Sequence, residues 1–399
     1  MEKKKIRLKS SMIYGILLYI AGYMVLYVGS NMFSTYLNLS GYTNAQIANI
    51  LSLVSIANYA VQPVMGQLID SGRCKLTGYI LCASIAFGGT VFFASSPRTF
   101  FTAIIYALFV KCCCAGVDFL MDSWVMKLAQ LDSELDFPLI RAFGSLSYAL
   151  SGLVFGKIFS IYSFKASLIG LPLILAFMAV ICFLTPEPSL KTKAREKTKI
   201  RDHLSILKNP LFDFFLLFQA LGMGILLVCD TYIQVLILDM GGTTADSGLA
   251  TFVLCMTEFI CGLFFTRICT KLGTNNTIAI GLCGFAIKLV LISYMPTPKL
   301  VVLACLTQAV SYCFFMPGKM QFVQENVQTQ DVGTALYLCQ LMQSLTAVCI
   351  FNPLIGKFST LYGTAVMMRI FGVSTVVLGI IYAAGIRIIP KLMQGKISR

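Results

Sequence analysis

Lys111, Asp118, Asp122, Arg141, Asp230, Glu258 and Lys288 are the residues of this chain whose chemistry demands an explanation. Each lies inside a run of roughly twenty mostly apolar residues. Glu258, for example, sits near the centre of "TFVLCMTEFICGLFF", residues 251–265. If such runs cross a membrane, each charge is held in hydrocarbon, where it is costly unless it faces a polar cavity or a partner. Spacing suggests partners. Lys111, Asp118 and Asp122 are seven and four residues apart, steps that at about 100° per residue return to one helix face. Arg141 and Tyr148 are also seven apart, and Gln234 lies one turn after Asp230. Gln308 and Ser311 add polar groups to a later run. Charges of both signs occur in both halves of the chain, which points to a polar central cavity.

Composition supports the membrane premise. Hydrophobic residues make up 57% and charged residues 12%, and mean hydropathy is +0.82. Soluble domains carry roughly 45–50% apolar and about 25% charged residues. Twelve runs are long enough to span a bilayer as helices, near 12–37, 45–68, 76–96, 101–125, 138–160, 166–185, 211–237, 248–268, 277–295, 300–323, 332–354 and 364–388, numbered spans 1–12 below. Helices are required because backbone polar groups cannot stay unpaired in lipid. The expected fold is therefore an all-α polytopic membrane protein of two pseudo-symmetric six-helix bundles: residues 1–185, a basic middle loop at 186–209, and residues 210–399.

Lys and Arg cluster at the start ("MEKKKIRLK"), after span 2, in the middle loop, after span 8 and at the end, while "NLSGYT" and "LDMGGTTADSG" have none. The positive-inside rule puts both termini and the middle loop in the cytoplasm, and the plasma (cytoplasmic) membrane is the expected location. The net charge of +14 is explained by this topology, and nucleic acid is not an expected partner. The 15 cysteines include no CxxC pair and read as small buried hydrophobes. The sole histidine, His203, falls in the middle loop, so no metal or nucleophile site and no cofactor is expected. An embedded enzyme would need such a cluster, and none is present.

Internal echoes support duplication. "GKIFSIYS" at 156–163 meets "GKFSTLYG" at 356–363, two hundred residues on, and Gly-containing segments close spans 2 and 8 before basic residues. Parallel six-helix repeats imply two bundles about a midplane site, with alternating access by rocking. After span 2, "QPVMGQLIDSGRCK" places Gly66 four residues before Asp70, followed by Arg73. It resembles the loop signature of the major facilitator superfamily, with one residue fewer after Asp70. It marks Gly66, Asp70 and Arg73 as a conformational latch.

The resemblance narrows to the lactose permease branch, the oligosaccharide:proton symporters. "FPLIRAFGSLSYAL" (137–150) is similar to that branch's span 5, which implies Arg141 as the sugar-gripping Arg and Tyr148 in place of the stacking Trp. Asp122 falls nearest the span-4 carboxylate, one residue out of register. "MTEFICGLFFTRICTKLG" resembles span 8, making Glu258 the carboxylate that organises sugar and couples it to protons. Lys288 falls at the span-9 Arg and Asp230 at the first span-7 Asp. The pattern departs elsewhere: Cys305, Gln308 and Ser311 stand where lactose transporters carry Lys, His and Glu, and Ile233 and Cys261 replace an Asp and an Asn.

The implied function is proton-coupled uptake of a sugar or similar polyhydroxyl solute, with a nucleoside equally suited to the inventory. Asp122, Arg141, Tyr148, Gln234, Glu258 and Gln308 would bind solute. Glu258, Asp230, Lys288, Asp118 and Lys111 would form the coupling network, with Glu258 alternating between a protonated state and pairing with Lys288 or Arg141. The alternative is a proton-antiport exporter of the same superfamily, although the Gly-Pro pair typical of those proteins is missing from "SGLVFGKIF". A monomer in the bilayer suffices for a two-bundle transporter.

Overall fold

The computed structural model describes residues 2–54, 57–58, 73–95, 99–131, 135, 137–187, 209–327 and 332–397. Among these the chain is predominantly helical, and no strand occurs. Among the described residues eleven helices are long and apolar enough to cross a membrane, including Ser11–Leu39 (span 1), Cys74–Ala94 (span 3), Phe100–Val125 (span 4), Pro210–Asp239 (span 7), Thr274–Tyr294 (span 9) and Pro298–Asn326 (span 10). Half of the expected span 2 lies outside the described residues. Its first turns, 44–54, are helical. The outward surfaces fit hydrocarbon: on span 6, Ile169, Leu173 and Phe183 are 69%, 65% and 66% exposed.

The two halves repeat each other at an offset of two hundred residues, down to the caps. Span 3 runs Cys74–Ala94 and span 9 runs Thr274–Tyr294. The Thr77 hydroxyl donates to the Arg73 carbonyl, and the Thr277 hydroxyl donates to the Gly273 carbonyl, both at 2.8 Å. Gly41 and Gly241 both end a helix at positive φ. Each is followed by a capping box, in which the backbone N–H of Thr43 donates to Gln46 and that of Thr243 donates to Asp246. The echo read from "GKIFSIYS" and "GKFSTLYG" ends alike too: Ser163 and Gly363 adopt φ/ψ of 63°/163° and 83°/156°.

Backbone proximity divides the chain into two compact units, Met1–Lys193 with Gly242–Met256, and Ala194–Gly241 with Thr257–Arg399. The first turns of the span-8 helix, Thr244–Leu272, group with the first unit in this division. Glycine is the reason. A Cβ at Gly248 would lie 2.0 Å from the Gly152 carbonyl oxygen and 2.9 Å from the Gly156 Cα. Only hydrogen allows that approach, and the Thr244 hydroxyl seals it by donating to the Gly156 carbonyl at 3.1 Å.

The core of the first unit is aromatic, with Tyr27, Phe33, Tyr36, Phe92 and Tyr106 fully buried. The Tyr36 and Tyr106 hydroxyls donate to the Val28 and Gly29 carbonyls of span 1. Those carbonyls lie in a π turn, Leu26–Asn31, and span 4 has its own at Ala107–Lys111. In the second unit Phe212, Phe215, Phe285, Phe315 and Phe322 form the equivalent packing.

Candidate functional site

Two polar clusters occupy the interiors, one in each unit. In the first, span 5 runs Phe137–Tyr162 and presents Arg141. Its Nη1 donates to both carboxylate oxygens of Asp122, at 2.9 and 3.0 Å. The Tyr19 hydroxyl of span 1 also donates to Asp122 Oδ1. The Arg141 side chain is 48% exposed, and its remaining N–H groups have no partner among the described residues. Gly144, one turn on, makes room for this arrangement, because a Cβ there would meet the rings of Tyr19 and Tyr23 at 2.9 and 2.8 Å.

An aromatic wall adjoins the pair. Tyr19, Tyr23 and Tyr27 follow one another by single turns along span 1, with Tyr19 and Tyr23 stacked at 5.9 Å. Tyr148 sets its ring edge-on to Tyr23 and Tyr27, at 6.0 and 5.4 Å. Tyr148 was expected from span 5, whereas the span-1 tyrosines were not. Their four-residue repeat in "YIAGYMVLY" was visible, but a tyrosine in an apolar run reads as packing until a carboxylate is found against it.

Span 4 carries Asp118 one turn before Asp122, and both are half-buried. Lys111 does not complete an ion pair with Asp118. Its ammonium donates to the Ser30 carbonyl at 3.5 Å and lies 5.6 Å from the Phe33 ring centre. A π turn, Ala107–Lys111, ends at this lysine.

The second unit holds a continuous hydrogen-bonded chain. Lys288 of span 9 is fully buried and donates to Asp230 Oδ1 and to Gln308 Oε1, each at 2.6 Å. Gln308 then donates through Nε2 to Glu258 Oε1, also at 2.6 Å. Four of the residues singled out by type are thus brought together by four different helices. Gln234 is buried one turn beyond Asp230.

The backbone is shaped for this chain. Gly281 and Gly284 let span 10 lie directly on span 9, since Cβ atoms there would meet Phe315 and the Val310 carbonyl. Span 10 is itself broken at the site: a 3-10 turn, Cys305–Ala309, separates the helices Pro298–Ala304 and Tyr312–Asn326. The Ser311 hydroxyl donates to the Thr307 and Gln308 carbonyls, at 3.2 and 3.3 Å, and so satisfies part of the interrupted ladder. Irregular backbone at membrane depth is tolerated where it lines a site. No Gly or Pro announces the break in "CLTQAVSY".

Of the latch residues, Gly66 and Asp70 lie outside the described residues. Arg73 is exposed at the N-terminus of span 3. Beside it, Lys75 donates to the Phe183 carbonyl at 2.7 Å, tying the start of span 3 to the end of span 6.

A helical membrane chain duplicated about its middle, with an ion-paired cluster in each unit, has the build of a secondary transporter. The sequence pattern of the Major Facilitator Superfamily matches residues 12–350, and the chain belongs to that family. It is therefore a transporter of small molecules and an integral multi-pass membrane protein, not an enzyme. It is similar to the maltose permease of Geobacillus stearothermophilus, at 24% identity over 300 residues, 74% of each chain. Two structures of the nucleoside transporter NupG share its fold. Their TM-scores are 0.80 and 0.74 at 16% and 20% identity, with coverage of 94% of this chain and 99% and 98% of theirs. A D-xylose-proton symporter matches with a TM-score of 0.67 at 11% identity, covering 94% and 96%.

Proposed function

We propose that this protein imports a sugar, oligosaccharide or similarly polyhydroxylated solute, a nucleoside included, together with protons across the cytoplasmic membrane. The observation that carries this reading is Arg141. One end of its guanidinium is fixed on Asp122, while its other donors have no partner among the described residues and the side chain is half exposed. A planar fork held this way suits a pair of vicinal hydroxyls, with the Tyr23 and Tyr148 rings available to the apolar faces of a sugar. In the second unit Glu258 has a neutral partner, Gln308, and serves as both solute ligand and proton carrier. Lys288 and Asp230 hold Gln308 in the orientation that donates to it. The relatives' names agree in class: a maltose permease, a nucleoside transporter and a D-xylose-proton symporter. Both termini are cytoplasmic in this reading, and a monomer is sufficient.

The test is uptake of a radiolabelled panel of maltose, pentoses and nucleosides into proteoliposomes energised by an inward proton gradient. Accumulation of at least one of them, abolished by an uncoupler, is the expected result. If none accumulates while proton influx drives dye or metabolite out of preloaded vesicles, the protein is an antiporter instead.

A further inference from the structure

Each unit carries the same inventory in its cluster: two carboxylates and one cation. In the second, Lys288 neutralises Asp230, and Glu258 is left with the amide of Gln308. In the first, Arg141 neutralises Asp122, and Asp118 is left with no hydrogen bond or ion pair to any described residue. The groups around Asp118 are Asp122 on its own helix, Arg141 from span 5 and Tyr23 from span 1, with the Tyr19 hydroxyl already committed to Asp122. Lys111 on its own helix is seven residues away, about 10 Å along the axis, and is turned to span 1. One cation thus serves two carboxylates a turn apart, and an uncompensated negative charge would remain at membrane depth.

We propose that Asp118 is a second proton-binding carboxylate of the transport cycle, so that two protons, one on Asp118 and one on Glu258, accompany each solute. This rests on the proton-coupled reading above and adds a site and a stoichiometry to it. The coupling is direct. An ionised Asp118 competes with Asp122 for Arg141, and a protonated Asp118 does not, leaving the guanidinium free for solute hydroxyls. Linkage then requires that bound solute hold the proton on Asp118, as the proton holds the solute.

The experiment uses the full chain in proteoliposomes and the solute identified by the uptake panel. The solute gradient that stops net flux is measured against a series of fixed pH gradients. A twofold steeper dependence in the wild type than in Asp118→Asn, and than in Glu258→Gln, is the expected outcome. A wild-type ratio of one, or a ratio of two that survives Asp118→Asn, overturns the proposal. If Asp118→Asn does not fold, Asp118→Glu is compared with wild type: a displaced pH midpoint of uptake supports the proposal and an unmoved one overturns it. Where Asp118→Asn folds but gives no net uptake, retained solute exchange across the membrane supports it and lost exchange overturns it. Absence of any proton movement in the wild type would instead sink the proton-coupled reading itself, a result the same traces distinguish.

Discussion

Lys288 is fully buried, yet its ammonium is shared between a carboxylate and an amide, Asp230 and Gln308. Removing it alone strands Asp230, and breaking a buried pair costs about 3–5 kcal/mol, whereas replacing both partners with neutral groups can cost little. Lys288→Met should therefore reduce the amount of folded protein in the membrane, and Lys288→Met with Asp230→Asn should restore it, as read by fluorescence-detected size exclusion. A double variant no better than the single one would show that the pair is not a charge balance. Arg141→Lys tests the other cluster. Lysine keeps the charge but loses the planar guanidinium that holds Asp122 through Nη1 and carries further donors for solute. Solute affinity should fall about tenfold or more, the factor that ~1.4 kcal/mol represents, with little change in folded yield. Unaltered affinity would remove Arg141 from the solute site. At this scale the sequence was most legible where a charge stood out against an apolar background, as with Glu258 and Lys288. It was least legible at Tyr19, which becomes a site residue only because Asp122 meets it from another helix.

Helices show the opposite balance. Their spacing and duplication followed from hydropathy and from short echoes, because a bilayer imposes one length and one hydrogen-bonding solution on every span. The breaks did not follow. The 3-10 turn at Cys305–Ala309 and the π turns in spans 1 and 4 depend on contacts from other helices that no local composition encodes. The duplication supplies a prediction here. Ser163 is the only non-glycine residue at positive φ among those described, and its counterpart two hundred residues later is Gly363. The conformation at Ser163, φ 63° and ψ 163°, is essentially reserved for glycine and costs other residues about 1–3 kcal/mol. Ser163→Gly should raise the apparent Tm in detergent without altering uptake, and Gly363→Ser should lower it. Equal melting of both variants and wild type would mean the turn is not strained.

For the whole molecule, the helix Thr244–Leu272 has a singular position, since its first turns pack in one compact unit and Glu258 lies in the other. That division was beyond hydropathy, which sees a single span, but "GLVFG" and "ADSG" held the cause in Gly152, Gly156 and Gly248. Alternating access by rocking bundles requires backbone surfaces that part and close again in each cycle. Where two helices meet through glycine backbone, there is little side-chain interlocking to undo. Gly248→Val would place a branched side chain where an ideal Cβ already lies 2.0 Å from the Gly152 carbonyl oxygen. The packed arrangement is then unreachable, while Arg141, Asp122, Glu258 and Lys288 are untouched. Net uptake by Gly248→Val should consequently fall by about tenfold or more, equivalent to ~1.4 kcal/mol on the barrier, with equilibrium solute binding in detergent largely kept. Gly248→Ala should fall between the two. Wild-type uptake by Gly248→Val would show that the glycine contact is not visited during transport, and a parallel loss of binding would make it a support for the site rather than a moving surface.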